Sequence, residues 1–587
     1  MLTDVNVNIV PVQPEELPVL DLIIRGGQLI DGTGGPRRAA SVGIAGGRVV
    51  AIGDVDDPAA SVIDADGRVV APGFVDVHTH FDAQVFWDPT LSPSPLHGVT
   101  TVMGGNCGFS VAPLNAAAAG YLMRMLARVE GMPLSALETG VPWNWRTTGE
   151  YLDTLENRLA VNAGFMVGHS AIRRVVMGEA ATEREATEDE IAAMARLLHI
   201  GLEAGGLGFS STMAESHHDG EGRPVPSRHA SHAELLALAA VCAEHPGTSL
   251  EFLPSVGPTF SDSTINLMAE LSRVARRPLN WNLLVAHQGN IAQCEAKLSV
   301  GDLAARRGGK VVALAMPMRV ASRLNFLTGV ILDMLPGWHD AMMLPPDRKL
   351  QLLSDPVERR RLAELAAGPE VPTQLNNWAE RRIVETSTEA TERYRGRLVA
   401  DIATEEGKEP FDALLDVVCA DSLKTTFDTP MSATRADWEA RLSVLEDPRA
   451  LIGGSDAGAH LDMIGTFNYP TYLLAHAVRE HELMTTERAV HLLTGAPARL
   501  YGLVDRGTIT AGAAADVVIF DEDAIDTAPL TTRFDLPGGG PRLYAEGIGI
   551  THVVVNGTVI AEDGVFTEAR PGAVLRSGRD TVSPSLL

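Results

Sequence analysis

The stretch from Pro72 to Pro113 constrains this chain more than any other. It reads Pro-Gly-Phe-Val-Asp-Val-His-Thr-His-Phe-Asp over 72–82 and, after a polar, proline-bearing loop, His-Gly-Val-Thr-Thr-Val-Met-Gly-Gly-Asn-Cys-Gly-Phe-Ser-Val-Ala-Pro over 97–113. Pro72 and Gly73 mark a turn, and Phe74, Val75 and Val77 form an apolar, β-prone run too short for a helix. Side chains two apart on a strand point to the same side, so His78 and His80 present both imidazoles to one place. Two neutral imidazoles converging beyond a strand end suit a divalent metal. A second predicted strand, 98–103, ends in Gly-Gly-Asn-Cys-Gly, where glycines on both sides bring the backbone close and leave the Cys107 sulfur exposed at a strand tip.

The chain around this stretch has a recurrent texture. Short apolar strands are predicted at 74–80, 98–103, 164–168, 207–211, 248–253, 279–285, 311–317 and 450–455. They alternate with amphipathic helices, including 187–204, 232–244 and 262–276, which argues for a parallel α/β sheet. Thr187 with Glu190 forms a capping box, and Ser231 can cap the helix beginning at His232. Eight such units suggest a (β/α)8 TIM-type barrel with its active site at the C-terminal strand ends. Short strands near both chain termini, with an Asn556-Gly557 hairpin signal, are too few in either set for a stable sheet alone and should pair with each other. The expected organisation is therefore an N-terminal arm over 1–18, a small β-sandwich from 19–70 plus 504–587, and a barrel over 71–503. Residues 325–450 read as an insertion over the barrel mouth.

The quoted motifs resemble the amidohydrolase superfamily, whose first barrel strand ends in His-x-His. Within it, Gly-Val-Thr-Thr-Val, Gly-Asn-Cys-Gly-Phe-Ser and Ala-Pro are similar to the N-acyl-D-amino-acid deacylases (D-aminoacylases). In that branch the cysteine bridges or binds zinc where most relatives use a carbamylated lysine. The lysines offer an independent check: Lys297, Lys310, Lys349, Lys408 and Lys424 are the whole set, so no lysine exists on the first five predicted strands. That leaves Cys107 as the natural soft ligand, which a metal would hold as thiolate and which suits zinc. The resemblance implies one or two Zn2+ ions and the same barrel-in-sandwich arrangement.

Other candidates follow the strand ends. Leu451-Ile452-Gly453-Gly454-Ser455-Asp456 is a strand ending in an aspartate and resembles the family's Gly-Ser-Asp. A carboxylate there can bind metal and take a proton from the attacking water. His460, at the family spacing, either polarises the scissile carbonyl or lines the loop. Val167-Gly168-His169-Ser170 with Arg173 resembles a Gly-His-Ser…Arg turn after the third strand; its His169 and Arg173 either meet substrate or organise the loop. The chain departs from the family after strands five and six, where relatives carry metal-binding histidines. Here stand Ser249-Leu250-Glu251-Phe252 and Leu279-Asn280-Trp281-Asn282. Glu251 either replaces a ligand or is a structural acid, and Asn282 is a weak ligand at best. The family's His-Pro-Arg segment after Ser-Asp, whose arginine holds the substrate carboxylate, is missing as well. His217-His218-Asp219 sits in a polar loop, where solvent exposure is expected.

The net charge of -27 argues against nucleic acid or an anionic membrane surface as partner. No signal peptide and no membrane-length apolar run is visible. Four scattered cysteines, Cys107, Cys242, Cys294 and Cys419, do not make a disulfide framework, so a reducing cytoplasm is the expected compartment. The resulting expectation is a metal-dependent hydrolase of a linear amide, most simply a small-molecule N-acyl-D-amino acid. The metal would be held by His78, His80, Cys107, Glu251 and Asp456, with Asp456 and His460 catalytic and His169 and Arg173 at the substrate. Superfamily members are often dimers or larger. A barrel acting on a cyclic amide or other C–N bond, and a non-catalytic ligand-binding barrel, are the competing readings.

Overall fold

The computed structural model describes residues 20–320, 322–329, 331–368, 371, 373–430 and 433–586. The arm expected over 1–18 lies outside these residues. Eight short parallel strands carry the site: β1 (Phe74–Asp76), β2 (Val99–Gly104), β3 (Asn162–Phe165, continued by Val167–Gly168), β4 (Gly208–Thr212), β5 (Ser249–Leu253), β6 (Leu279–Leu284), β7 (Val311–Ala315) and β8 (Ala450–Ile452). Each falls where the apolar pattern places a strand. Every residue of β2, β4, β5 and β7 is buried, as parallel strands covered on both faces should be.

The strands are arranged as two parallel sheets in chain order. One holds β1, β2 and the first part of β3; the other runs from Val167–Gly168 through β4, β5, β6 and β7 to β8. The sheets meet at both edges. On one side the Leu207 amide donates to the Phe165 carbonyl at 2.8 Å. On the other, Thr79 bridges Ala457 in parallel, and the His80 amide donates to the Ala457 carbonyl at 2.7 Å.

The helices form where their caps predict. Glu188–Glu203 starts at a complete Thr187/Glu190 capping box, His232–Val241 is capped by Ser231, and Asp262–Ala275 follows Ser261. No helix among the described residues is long and apolar enough to cross a membrane.

Both chain ends build one nine-stranded sheet. Val69–Pro72, from the N-terminal set, pairs antiparallel with Val517–Phe520, which in turn pairs with Ile550–Val555. Val517 and Ile519 face a cluster with Leu22 and Ile44, whereas Val518 and Phe520 face the larger core around β1, as the two-residue period of a strand requires. Asn556 and Gly557 both take positive φ, 45° and 77°, in the tight turn between Ile550–Val555 and Thr558–Glu562. The last residues leave this sheet: Val574–Leu575 pairs in parallel with β3. Residues between Leu324 and Phe427 have an apolar cluster of their own, centred on Phe326, Trp338, Phe411 and Phe427, which Met463 joins from the loop after His460.

Candidate metal centre and active site

The first two side chains of the site lie just beyond β1. His78 and His80 are buried, with ring centroids 5.4 Å apart. Both Nε2 atoms face one carboxylate oxygen, Asp456 Oδ1, at 3.2 Å from His78 and 3.7 Å from His80. Asp456 comes from the loop after β8, and its amide is tied to the His78 carbonyl at 3.2 Å. Cys107, beyond β2, brings its Sγ to 3.5 Å from His78 Nε2. Among the described residues, His78, His80 and Cys107 are the one group of three metal-ligating side chains packed closely enough to share an ion.

The sulfur is not exposed at a tip, as the flanking glycines suggested. Cys107 is buried because those glycines let its loop press inward: a Cβ on Gly105 would sit 2.3 Å from the Met166 carbonyl oxygen. Glu251, on β5, reaches the same loop and accepts the Cys107 amide at 2.7 Å. Asn282, on β6, has its Nδ2 3.4 Å from His78 Nε2 and 3.6 Å from Cys107 Sγ. Glu251 thus belongs to the cluster, and Asn282 borders it.

The electrostatics ask for a cation. Asp76, Asp82, Glu130, Glu251 and Asp456 surround two imidazoles and a thiol, and all but Asp456 are buried. Burial pushes the Glu251 carboxyl well up; burial and then the Glu251 charge do the same to the Cys107 thiol. Burial alone would push Asp456 up, but hydrogen bonds from His78 and His80 hold it below the usual carboxylate range. His80 is opposite in sign: burial would lower it, but Glu130, then Asp456 and Asp82, carry it up to about 9. A bound divalent ion would reverse this logic by favouring thiolate and carboxylate. His78 Nδ1, Glu251 Oε1 and Asn282 Oδ1 are buried without a hydrogen-bond partner within the protein, which further fits a polar ligand not supplied by the chain. The residues present therefore fit a divalent metal.

His460 lies against the same cluster through its backbone, its amide bonded to the Glu130 carbonyl, and its buried Nδ1 has no hydrogen-bond partner within the protein. It lines a cavity of about 510 Å³ together with His217 and Arg128. The structure does not bring His169 and Arg173 to this site. Both are fully buried on Glu234: His169 Nε2 lies 2.9 Å from its Oε1, and Arg173 Nη1 lies 2.5 Å from both carboxylate oxygens. His169 Nδ1 is held by Ser211 Oγ at 2.8 Å. These contacts lock β3, β4 and the Ser231-capped helix together behind the site.

One site residue carries no sequence signal, and another departs from the exposure expected of its loop. Glu130, at the end of the helix Ala116–Val129, places its Oε1 3.6 Å from His80 Nδ1. His217 packs its ring 5.0 Å from Phe109 and is pushed down to about 3 by burial, then by His460 and His80. The exposure expected for its loop is contradicted, because Asp219 is fully buried, accepting from Tyr121 Oη at 3.1 Å and from two backbone amides.

Comparison with known proteins bears on this arrangement. A profile of the Amidohydrolase family matches residues 61–561. The chain is 32% identical over 568 residues to N-acyl-D-glutamate deacylase of Alcaligenes xylosoxydans xylosoxydans, spanning 95% of this chain and 96% of that protein. It is 30% identical to D-aminoacylase of the same organism, over 94% and 97% of the two chains. Among solved structures, N-acyl-D-glutamate deacylase from Bordetella bronchiseptica, complexed with zinc and a phosphonate mimic of the tetrahedral intermediate, superposes with a TM-score of 0.64 at 27% identity over 95% of this chain and all of that one.

Proposed function

This chain belongs to the amidohydrolase family, and on that premise we propose that it hydrolyses a linear amide, most simply an N-acyl-D-amino acid, with the help of bound zinc. The observation that carries the reading is the meeting of His78, His80 and Cys107 with Asp456 at the ends of β1, β2 and β8. In this reading β1–β8 close as a (β/α)8 barrel, a proposal supported by the contacts at both sheet edges. The terminal strands make up the β-sandwich domain expected over 19–70 and 504–587, from which Val574–Leu575 reaches over to pair with β3, and 325–450 is an insertion at the barrel mouth. Because a thiolate ligand must stay reduced, and all four cysteines are free, a reducing cytoplasm suits the protein.

His78, His80, Cys107, Glu251 and Asp456 would hold one or two zinc ions. Zinc there would supply Lewis acidity and bring the ionisation of water toward neutral pH. Asp456, kept ionised by its two imidazole neighbours, is the base that accepts a proton from the attacking water. As the C–O bond forms and the C–N bond breaks, the same carboxyl returns that proton to the leaving nitrogen. His460, which lines the cavity, is the side chain that would donate to the developing oxyanion. The products are a carboxylate and an amine.

The test is hydrolysis of a panel of N-acyl-D- and N-acyl-L-amino acids by zinc-replete protein. Cleavage of at least one class is expected, with kcat reduced about 10³-fold in Asp456→Asn. Failure to cleave any amide in the panel would overturn the reading.

A further inference from the structure

A cavity opens beside His460. Its lining includes Arg128, His217, His218, Asp333 and His339. The charge here runs against that of the whole chain. The protein carries -27 overall, and the neighbouring metal cluster is ringed by carboxylates, yet Asp333 is the one carboxylate in this lining. Arg128 faces it, and Lys349, close enough to feel the Arg128 charge, donates from Nζ to the Leu327 carbonyl at 3.0 Å. Arg228, behind His217, donates to that residue's carbonyl at 3.1 Å.

Arg128 is fixed relative to the reacting centre. It is the penultimate residue of the helix Ala116–Val129. The next residue but one is Glu130, whose carbonyl accepts the His460 amide and whose carboxylate faces His80. Its ion-pair partner, Asp333, comes from a different segment of the chain. Asp333 belongs to the segment with a separate apolar cluster, in the short turn Leu332–Met334. Ile331, just before it, has φ of +69°, a conformation that a β-branched residue rarely adopts. The pair is largely out of water, with 18% of the Arg128 side chain and 3% of the Asp333 side chain exposed. A guanidinium is permanently charged, and its planar fork matches a carboxylate in two hydrogen bonds.

We propose that Arg128 is the specificity-determining residue of this enzyme, binding the free carboxylate of an N-acyl amino acid, and that Asp333 occupies that place as a stand-in until substrate displaces it. The inference rests on the functional reading above. The loop after β8 lacks the arginine that the resemblance implies, and the helix that follows β2 brings a guanidinium to the cavity lining instead.

The experiment is a matched substrate pair, an N-acyl amino acid and its primary carboxamide, cleaved by the zinc-loaded full chain. The parent protein should prefer the acid by about 100-fold in kcat/KM, the discrimination expected of a bidentate charge-assisted contact. In Arg128→Met this ratio should fall to near unity, mostly through KM for the acid. In Asp333→Asn the ratio should rise, because the competing carboxylate is gone; this variant also keeps the inference testable should Arg128→Met fail to fold. An acid preference that survives Arg128→Met would overturn the inference. So would an Asp333→Asn variant that weakens both substrates equally, since that is the behaviour of a plain tether. A protein that cleaves other amides but shows no acid preference refutes this inference alone. One that cleaves no amide at all refutes the parent reading and this inference with it.

Discussion

Three residues of the site hold left-handed backbone: Cys107 at φ 54°, Asp456 at 52° and His460 at 47°. Such conformations are uncommon for residues other than glycine and persist where surroundings over-determine them. Here each strained amide is bonded to another member of the site: Cys107 to the Glu251 carboxylate, Asp456 to the His78 carbonyl, His460 to the Glu130 carbonyl. The site residues hold one another in place. Glu130 does so twice, through its carbonyl and through the carboxylate that faces His80. Groups that orient a metal-binding histidine tune its affinity, so Glu130→Gln should weaken zinc binding about 10- to 100-fold in chelator competition. Unchanged affinity would show that Glu130 does not orient His80. His78, His80, Cys107 and Asp456 were legible because each ends a recognisable strand motif. Glu130 was not, because it ends an ordinary helix and only the fold carries it to His80. His217 was misplaced for the related reason that a polar loop can be buried when its own acid, Asp219, finds hydrogen bonds inside.

Elements were legible wherever local chemistry decides them. The Thr187 and Ser231 caps and the eight apolar runs all lie where the periodicities put them. The roles of helices were less so. The Gly-His-Ser…Arg segment does open a helix after β3, but Glu234, more than sixty positions away, claims both His169 and Arg173. Removing one member of a buried charge network strands the others, so Glu234→Ala should cost about 3–5 kcal/mol in denaturant unfolding. A cost below about 1 kcal/mol would mean that the network is not structural. His97, in the short turn before β2, gives a pH-dependent element. It is fully buried between Thr471 Oγ1 at 2.8 Å and the Ala545 carbonyl at 3.1 Å, and burial pushes it down to about 4 from 6.5. Because the folded value is depressed, its contribution is fully present above pH 6.5 and is lost as pH falls through that window to about 4. The loss amounts to about 3 kcal/mol. Unfolding free energies measured from pH 7 to 4 should therefore fall less steeply in His97→Gln than in the parent. Parallel curves would contradict the assignment.

At the scale of the molecule, the two chain ends act as one element that the site depends on indirectly. Asn162, at the start of β3, donates to Asp516 at 2.9 Å and accepts from Asn556 at 2.9 Å, while Arg506 pairs with Asp516. This network fastens the terminal sheet to the strands that carry the site. The pairing of the chain ends was legible because neither set of strands could stand alone. The return of Val574–Leu575 to β3 was not, because two residues carry no period. The whole arrangement serves to hold a metal among carboxylates that would otherwise repel one another. Elemental analysis of protein purified without added metal tests it most directly. About one or two zinc ions per chain are expected, with a clear loss in Cys107→Ala whose circular dichroism matches the parent. Protein that binds no divalent metal even when zinc is supplied would contradict the account.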